Sequence, residues 1–143
     1  MCGPTFFGFV LLTIFSFFPA LTVSSPPNLS PKKVGPHTFT LAVKKDLPQK
    51  GPEFDACYEP GGLCAEVGKA HDVDFEAETI GKNSVESGDK GWDTLFTPKK
   101  FGDSYFLGGP GQTYKRKVTA KPGTKLTYFC FIHPFMQGSI KVK

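Results

Sequence analysis

The chain has 143 residues, enough for one domain with one modest core once any targeting segment is set aside. Hydrophobic residues make up 39% and charged residues 21%, a balance that excludes a disordered chain, and 16 Gly with 13 Pro point to many turns between short strands. The formal net charge of +4 gives a weak attraction for acidic surfaces, but Lys115-Arg116-Lys117 is too short a run, with no accompanying motif, to indicate nucleic acid.

In chain order, the first feature is an apolar run, FFGFVLLTIFSFF (Phe6 to Phe18), ahead of the first charged residue, Lys32. Pro19 and the small residues of ALTVSS follow. Residues 1–25 read as a secretory signal with its exit near Val23 and Ser25, although no basic residue opens it. An uncleaved membrane anchor is the alternative, but the run is short for a span. Either reading places residues 26–143, taken as a single domain, outside the cytoplasm, in a periplasm or secreted.

HTFTLAVKK (His37 to Lys45) alternates apolar and polar residues and predicts a strand. CYEPGGLC follows, with Pro60-Gly61-Gly62 able to turn the chain back, so Cys57 and Cys64 are the expected disulfide pair. AHDVDFEAE (Ala70 to Glu78) alternates Val73 and Phe75 against acids and predicts a further strand. From Thr79 to Phe106 the chain is polar and glycine-rich, with Trp92 and Phe96 as anchors. QTYKRKVTA predicts a strand with Tyr114, Arg116 and Val118 on one face, and KPGT (Lys121 to Thr124) a turn. KLTYFCFI predicts a buried strand with Leu126, Tyr128, Cys130 and Ile132 on one face and Thr127, Phe129 and Phe131 on the other. HPFMQG is a loop, and SIKVK a final strand with Ile140 and Val142 inward. No long helical period and no repeat occurs. The class is all-β, a sandwich.

The chemistry sits in YFCFIHPFMQGSIKVK (Tyr128 to Lys143). Cys130, His133 and Met136 stand three residues apart, at a strand end and in the loop beyond it. With Cys2 inside the signal and Cys57 paired to Cys64, Cys130 is left as a free thiol in an oxidising compartment, where something must hold it. A thiolate, an imidazole and a weak thioether form a soft donor set that suits copper. Zinc makes little use of a thioether. A trigonal copper site needs one more imidazole, and only His37 and His71 remain. The plain alternative is that Cys130 is a buried core cysteine beside two ordinary loop residues. Cys57, Cys64 and His71, seven residues apart in turn, form a weaker candidate for a second metal. The plainest reading of His71 is a solvated strand residue.

YFCFIHPFMQGSIKV resembles the C-terminal copper loop of the cupredoxins, the blue-copper family that includes plastocyanin and amicyanin. The short Cys-x2-His-x2-Met loop, the aromatic strand before it and the Gly-led strand after it all agree with that pattern. GPHTFTLAVKKDLP, CYEPGGLC and GWDTLF…GDSYF resemble a bacterial subgroup with a long insertion between the first ligand and the copper loop. The resemblance implies a Greek-key β-sandwich with one type 1 copper held by His37, Cys130 and His133, and Met136 as the long axial contact. His71 stays open as the alternative first ligand. The setting of His37 matches the family better, but two strands precede the first ligand in that family. Only PPNLSPKKVG lies between the expected signal and His37, so the sandwich is expected to lack its usual N-terminal strands.

The function the resemblance implies is an exported one-electron carrier, monomeric, serving a redox partner protein of acidic character. Lysines 32, 33, 44, 45, 99 and 100 would steer that partner. Phe131, Pro134 and Phe135 would frame His133 with an apolar patch, unless the two phenylalanines fill the core. Pro134 has no N–H to offer the Cys130 sulfur, which would favour oxidised metal and a low potential. The alternative function is an extracytoplasmic copper-handling protein, a chaperone or resistance factor, holding Cu(I) with the same ligands. An enzyme is not expected: 3 histidines are too few for a trinuclear copper centre, and no nucleophile triad, phosphate loop or carboxylate pair stands out.

Overall fold

The computed structural model describes residues 20–24, 36–74, 77, 79–80, 85–89, 91–109 and 112–143. The signal-like run at 6–18, Lys32, Lys33 and Phe75 lie outside the described residues.

The segments with a two-residue period become strands, and their partners are set by the apolar faces they must cover. A five-stranded antiparallel sheet runs in the order β5 (Glu86–Ser87), β6 (Ser104–Leu107), β2 (His37–Leu41), β8 (Lys125–Phe129) and β9 (Gln137–Lys141). Ala20–Ser24 (β1) pairs antiparallel with Thr113–Lys117 (β7), with Val23 opposite Tyr114. A short ribbon joins Val73–Asp74 (β3) to Thr79–Ile80 (β4). The protein is thus mostly β. Residues 20–24, the small-residue stretch after the apolar run, supply one strand ahead of His37.

The central strands β2 and β8 are buried on both faces. On one face Phe39, Leu41 and Leu126 pack with Trp92, Tyr114, Val118 and Val142. There Phe39 stacks between Trp92 and Tyr128, at centroid distances of 4.8 and 4.4 Å. On the other face Phe96, Phe106, Phe129 and Phe131 pack with Leu63, Val67 and the cysteines 57 and 64. Trp92 and Phe96 are buried as expected, and Gly123, at φ 88, makes the KPGT turn with Thr124 N–H on the Lys121 carbonyl.

Among the described residues two short α-helices modify the all-β expectation: α1 (Gly51–Ala56) and α2 (Leu63–Ala70). Pro52 stands in the first turn of α1, where its missing N–H costs nothing. In α2 the buried residues Leu63, Cys64, Val67 and Gly68 recur at helical spacing and cover the sheet. Between the helices Gly61 takes φ 84, and a Cβ on Gly62 would come within 2.5 Å of the Ala56 and Cys57 carbonyl oxygens. Of the strand expected over residues 70–78, the start is taken up by the helix: Ala70 ends α2, His71 caps it, and among the described residues of that stretch Val73–Asp74 is extended. Among the described residues no helix is long and apolar enough to cross a membrane.

Candidate metal centre

β2 begins at His37 and β8 ends at Phe129, and their pairing sets Thr40 opposite Phe129. Antiparallel running therefore carries the start of β2 to the residues just past β8. His37 meets Cys130 there, across 93 positions of sequence. The His37 Nδ1 lies 3.9 Å from the Cys130 Sγ, and the His133 Nδ1 lies 3.8 Å from it. The three ligand atoms all fall within 4.8 Å of one another, and the two imidazole rings are 4.9 Å apart at 44°. Cys130 is buried at 3% exposure and is a free thiol; both histidines are half-buried.

These separations fit a metal ion better than direct hydrogen bonds. Bonds of about 2.0–2.3 Å from a nitrogen and a sulfur to one ion, opened to about 120°, span about 3.7 Å. Burial holds the His37 pKa below the ordinary histidine value, and the neighbouring His133 lowers it further. Both causes favour the neutral imidazole that a metal needs.

The loop is shaped by its own backbone. The Cys130 N–H donates to the Met136 carbonyl (3.0 Å), and the Met136 N–H donates to the His133 carbonyl (2.8 Å). The Met136 backbone is thereby tied to the backbones of Cys130 and His133, and the residue is 41% exposed. The Gln137 amide donates to the carbonyls of Pro134 (2.7 Å) and Pro48 (2.6 Å), fastening the loop to the segment after β2. Tyr58, just past α1, donates its hydroxyl to the Phe131 carbonyl at 2.6 Å. Burial, and then the nearby Cys130, push the Tyr58 pKa up. Thr38 completes the frame: its backbone N–H points at the Cys130 Sγ from 3.3 Å, and its hydroxyl accepts the Phe131 N–H at 2.9 Å. The sulfur thus has one backbone hydrogen-bond donor, from Thr38.

Several expectations change on this geometry. His71 is neither beside the thiol group nor solvated. It is fully buried, with Nε2 2.7 Å from the Ser104 hydroxyl. Cys57 and Cys64 are joined in a disulfide, as expected, which removes the second-metal candidate built on them with His71. Phe131 fills the core at 1% exposure and Pro134 is buried, so of the apolar frame only Phe135, at 67%, faces solvent, edge-on to the His133 ring. Lys44, Lys45, Lys99 and Lys100 are exposed.

A second cluster escaped the sequence reading. Carboxylate oxygens of Asp89, Asp93 and Asp103 lie within 4.8 Å of one another. Asp103 is fully buried and accepts the N–H groups of Asp93 (2.9 Å) and Thr94 (2.7 Å) on one oxygen. That arrangement clamps the 93–94 turn to the start of β6. The segment GWDTLF…GDSYF contains both partners, ten residues apart, but nothing local in it signals a clamp. In comparisons with protein-family models, curated proteins and solved structures, nothing matches this chain.

Proposed function

We propose that the protein is an extracytoplasmic one-electron carrier with a single type 1 copper held by His37, Cys130 and His133, Met136 standing by as the weak fourth donor, on a cupredoxin-like Greek-key sandwich. The observation that carries the reading is the triangle of two Nδ1 atoms, 3.9 and 3.8 Å from one buried free thiol. Bound there, copper would supply a one-electron couple between its two oxidation states.

The chain's own residues account for the rest. β2 and the 130–137 loop present the donors from a rigid frame, so the site changes little between charge states. The Thr38 N–H withdraws electron density from the sulfur, while Pro134 offers no second donor. Phe135 gives the His133 edge an apolar surface on which a partner can seat, and the exposed lysines would attract an acidic one.

The test is the visible and EPR spectrum of the protein loaded with Cu(II). Intense thiolate-to-copper absorption is expected, lost in His37→Ala and kept in His71→Ala. Tight, colourless binding of Cu(I) alone would favour the copper-handling reading. Absorption kept in His37→Ala would overturn the ligand set.

A further inference from the structure

Behind the candidate centre runs a row of buried polar side chains that the ligand set does not use. His71, Ser104 and Thr40 are fully buried, and Thr38 is 6% exposed. His71 Nε2 lies 2.7 Å from the Ser104 Oγ, which lies 2.7 Å from the Thr40 Oγ1, which donates to the Thr38 Oγ1 at 3.2 Å. The row joins the cap of α2 to the first turn of β2 through the start of β6. It ends on Thr38, whose backbone N–H points at the Cys130 sulfur and whose hydroxyl accepts the Phe131 N–H.

Each hydroxyl has one proton to give, so the direction of the Thr40-to-Thr38 bond sets the direction of the whole row. The Thr38 Oγ1 accepts from the Phe131 N–H and from the Thr40 hydroxyl. The Thr40 proton is then committed, so the Thr40 oxygen accepts from Ser104. The Ser104 proton is committed in turn, so its oxygen accepts from the His71 ring. Nε2 of His71 must therefore carry hydrogen. A misdirected proton anywhere along the row would strand a buried donor or acceptor, at a cost of about 1–3 kcal/mol.

We propose that His71 is a positioning residue for the metal centre: protonated at Nε2, it orients a one-way hydrogen-bond chain through Ser104 and Thr40 that fixes Thr38 against Cys130 and Phe131. The role toward a metal rests on the copper reading above; the tautomer and the direction of the chain do not. His71 is thus distinct from the ligands and explains a buried imidazole that a merely apolar core would not need. Its ring also stacks on Phe131, 6.2 Å between centroids and 10° from parallel, so it bears on the Cys130–Phe131 segment by packing as well.

The experiment uses the full chain, labelled with 15N, metal-free and with Cys130 reduced. Long-range proton–nitrogen spectra of the His71 ring should show a proton on Nε2. A ring protonated on Nδ1 with a bare Nε2 overturns the proposal. Ser104→Ala then removes one link without touching a ligand. Amide exchange should rise about five- to tenfold at Thr38 and Phe131, with Leu126 and Tyr128 unchanged. No rise, or a uniform one, overturns the directed chain. With copper bound, Ser104→Ala should lower the midpoint potential as the hold on the Thr38 N–H to sulfur loosens, and an unchanged potential overturns the positioning role. A wild-type chain that binds no copper yet shows the Nε2 proton and the local exchange effect refutes the copper reading and the positioning role that rests on it, and leaves the chain and its direction standing.

Discussion

Asp103→Asn makes a quantitative trial of the clamp at the start of β6. Asp103 is fully buried; one carboxylate oxygen accepts two backbone N–H groups, and the other has no donor among the described residues. Burial pushes its pKa up to about 6 from 3.8; the N–H groups of Thr94 and Asp93 pull it back, and the charges of Asp89 and Asp93 push it further up. A raised carboxyl pKa means that the folded state prefers the protonated form. The stability it contributes is complete below pH about 4 and is lost as pH rises through about 6. A gap of about 2 pH units corresponds to about 3 kcal/mol. Asparagine keeps an oxygen for the two N–H groups and cannot ionise. The Asn variant should therefore match the wild type near pH 4 and exceed it at pH 7, by up to about 3 kcal/mol. Urea unfolding of the metal-free protein, followed by Trp92 fluorescence, measures the difference at each pH. Groups away from Asp103 are the same in both proteins and cancel in the comparison. A difference independent of pH, or a wild type that gains on the variant as pH rises, would refute the reasoning.

Two further substitutions probe the frame of the loop. Gly138→Ala puts a Cβ into the Tyr128 ring across the β8–β9 pair. It should destabilise by about 1–3 kcal/mol in thermal or urea unfolding, and more than Ser139→Ala beside it on the exposed side. Replacing both Cys57 and Cys64 by Ser opens a loop closed over a separation of 7 residues. Loop-closure entropy for so small a ring gives a loss of about 2.5 kcal/mol, read in the same unfolding assay against the oxidised wild type.

Much of the sheet was legible in the sequence because its signals are local. HTFTL and KLTYF carry their period of two on their face, KPGT carries its turn chemistry, and the three-residue spacing of Cys130, His133 and Met136 needs no partner to be read. The helices were not legible because their pattern is too short. Four residues of LCAEVG share a buried face, and half of them are Cys and Gly, which apolar periodicity hardly registers. Val73 and Phe75 offered an alternation that looked like a longer strand, but the α2 cap at His71 takes up the residues on which it would have begun. His71 itself was misread for a non-local reason. What buries it is Ser104, 33 positions on, and Phe131, 60 positions on, and no local pattern announces either. The choice between His37 and His71 as the partner of Cys130 depended on the same long-range registry. In the structure it follows from β2 pairing with β8, a fact about two strands and not about either histidine's neighbours.

The way the centre is assembled bears on how it would respond to a metal. Two pieces of chain meet there, the first residues of β2 and the loop after β8, and each is fixed by bonds that involve no ion. The Cys130 and Met136 backbones close the loop, Gln137 ties it to Pro48, and Thr38 grips both sulfur and Phe131. These bonds hold the two pieces of chain so that the three donors lie within 4.8 Å of one another. On the proposed copper reading, metal affinity at a site framed in this way would go into binding rather than into ordering the chain, unlike small domains that fold only around their ion. On that reading the same bonds would resist rearrangement when the charge at the site changes by one electron, and that resistance, more than the identity of any single ligand, is what an electron carrier would require of its scaffold.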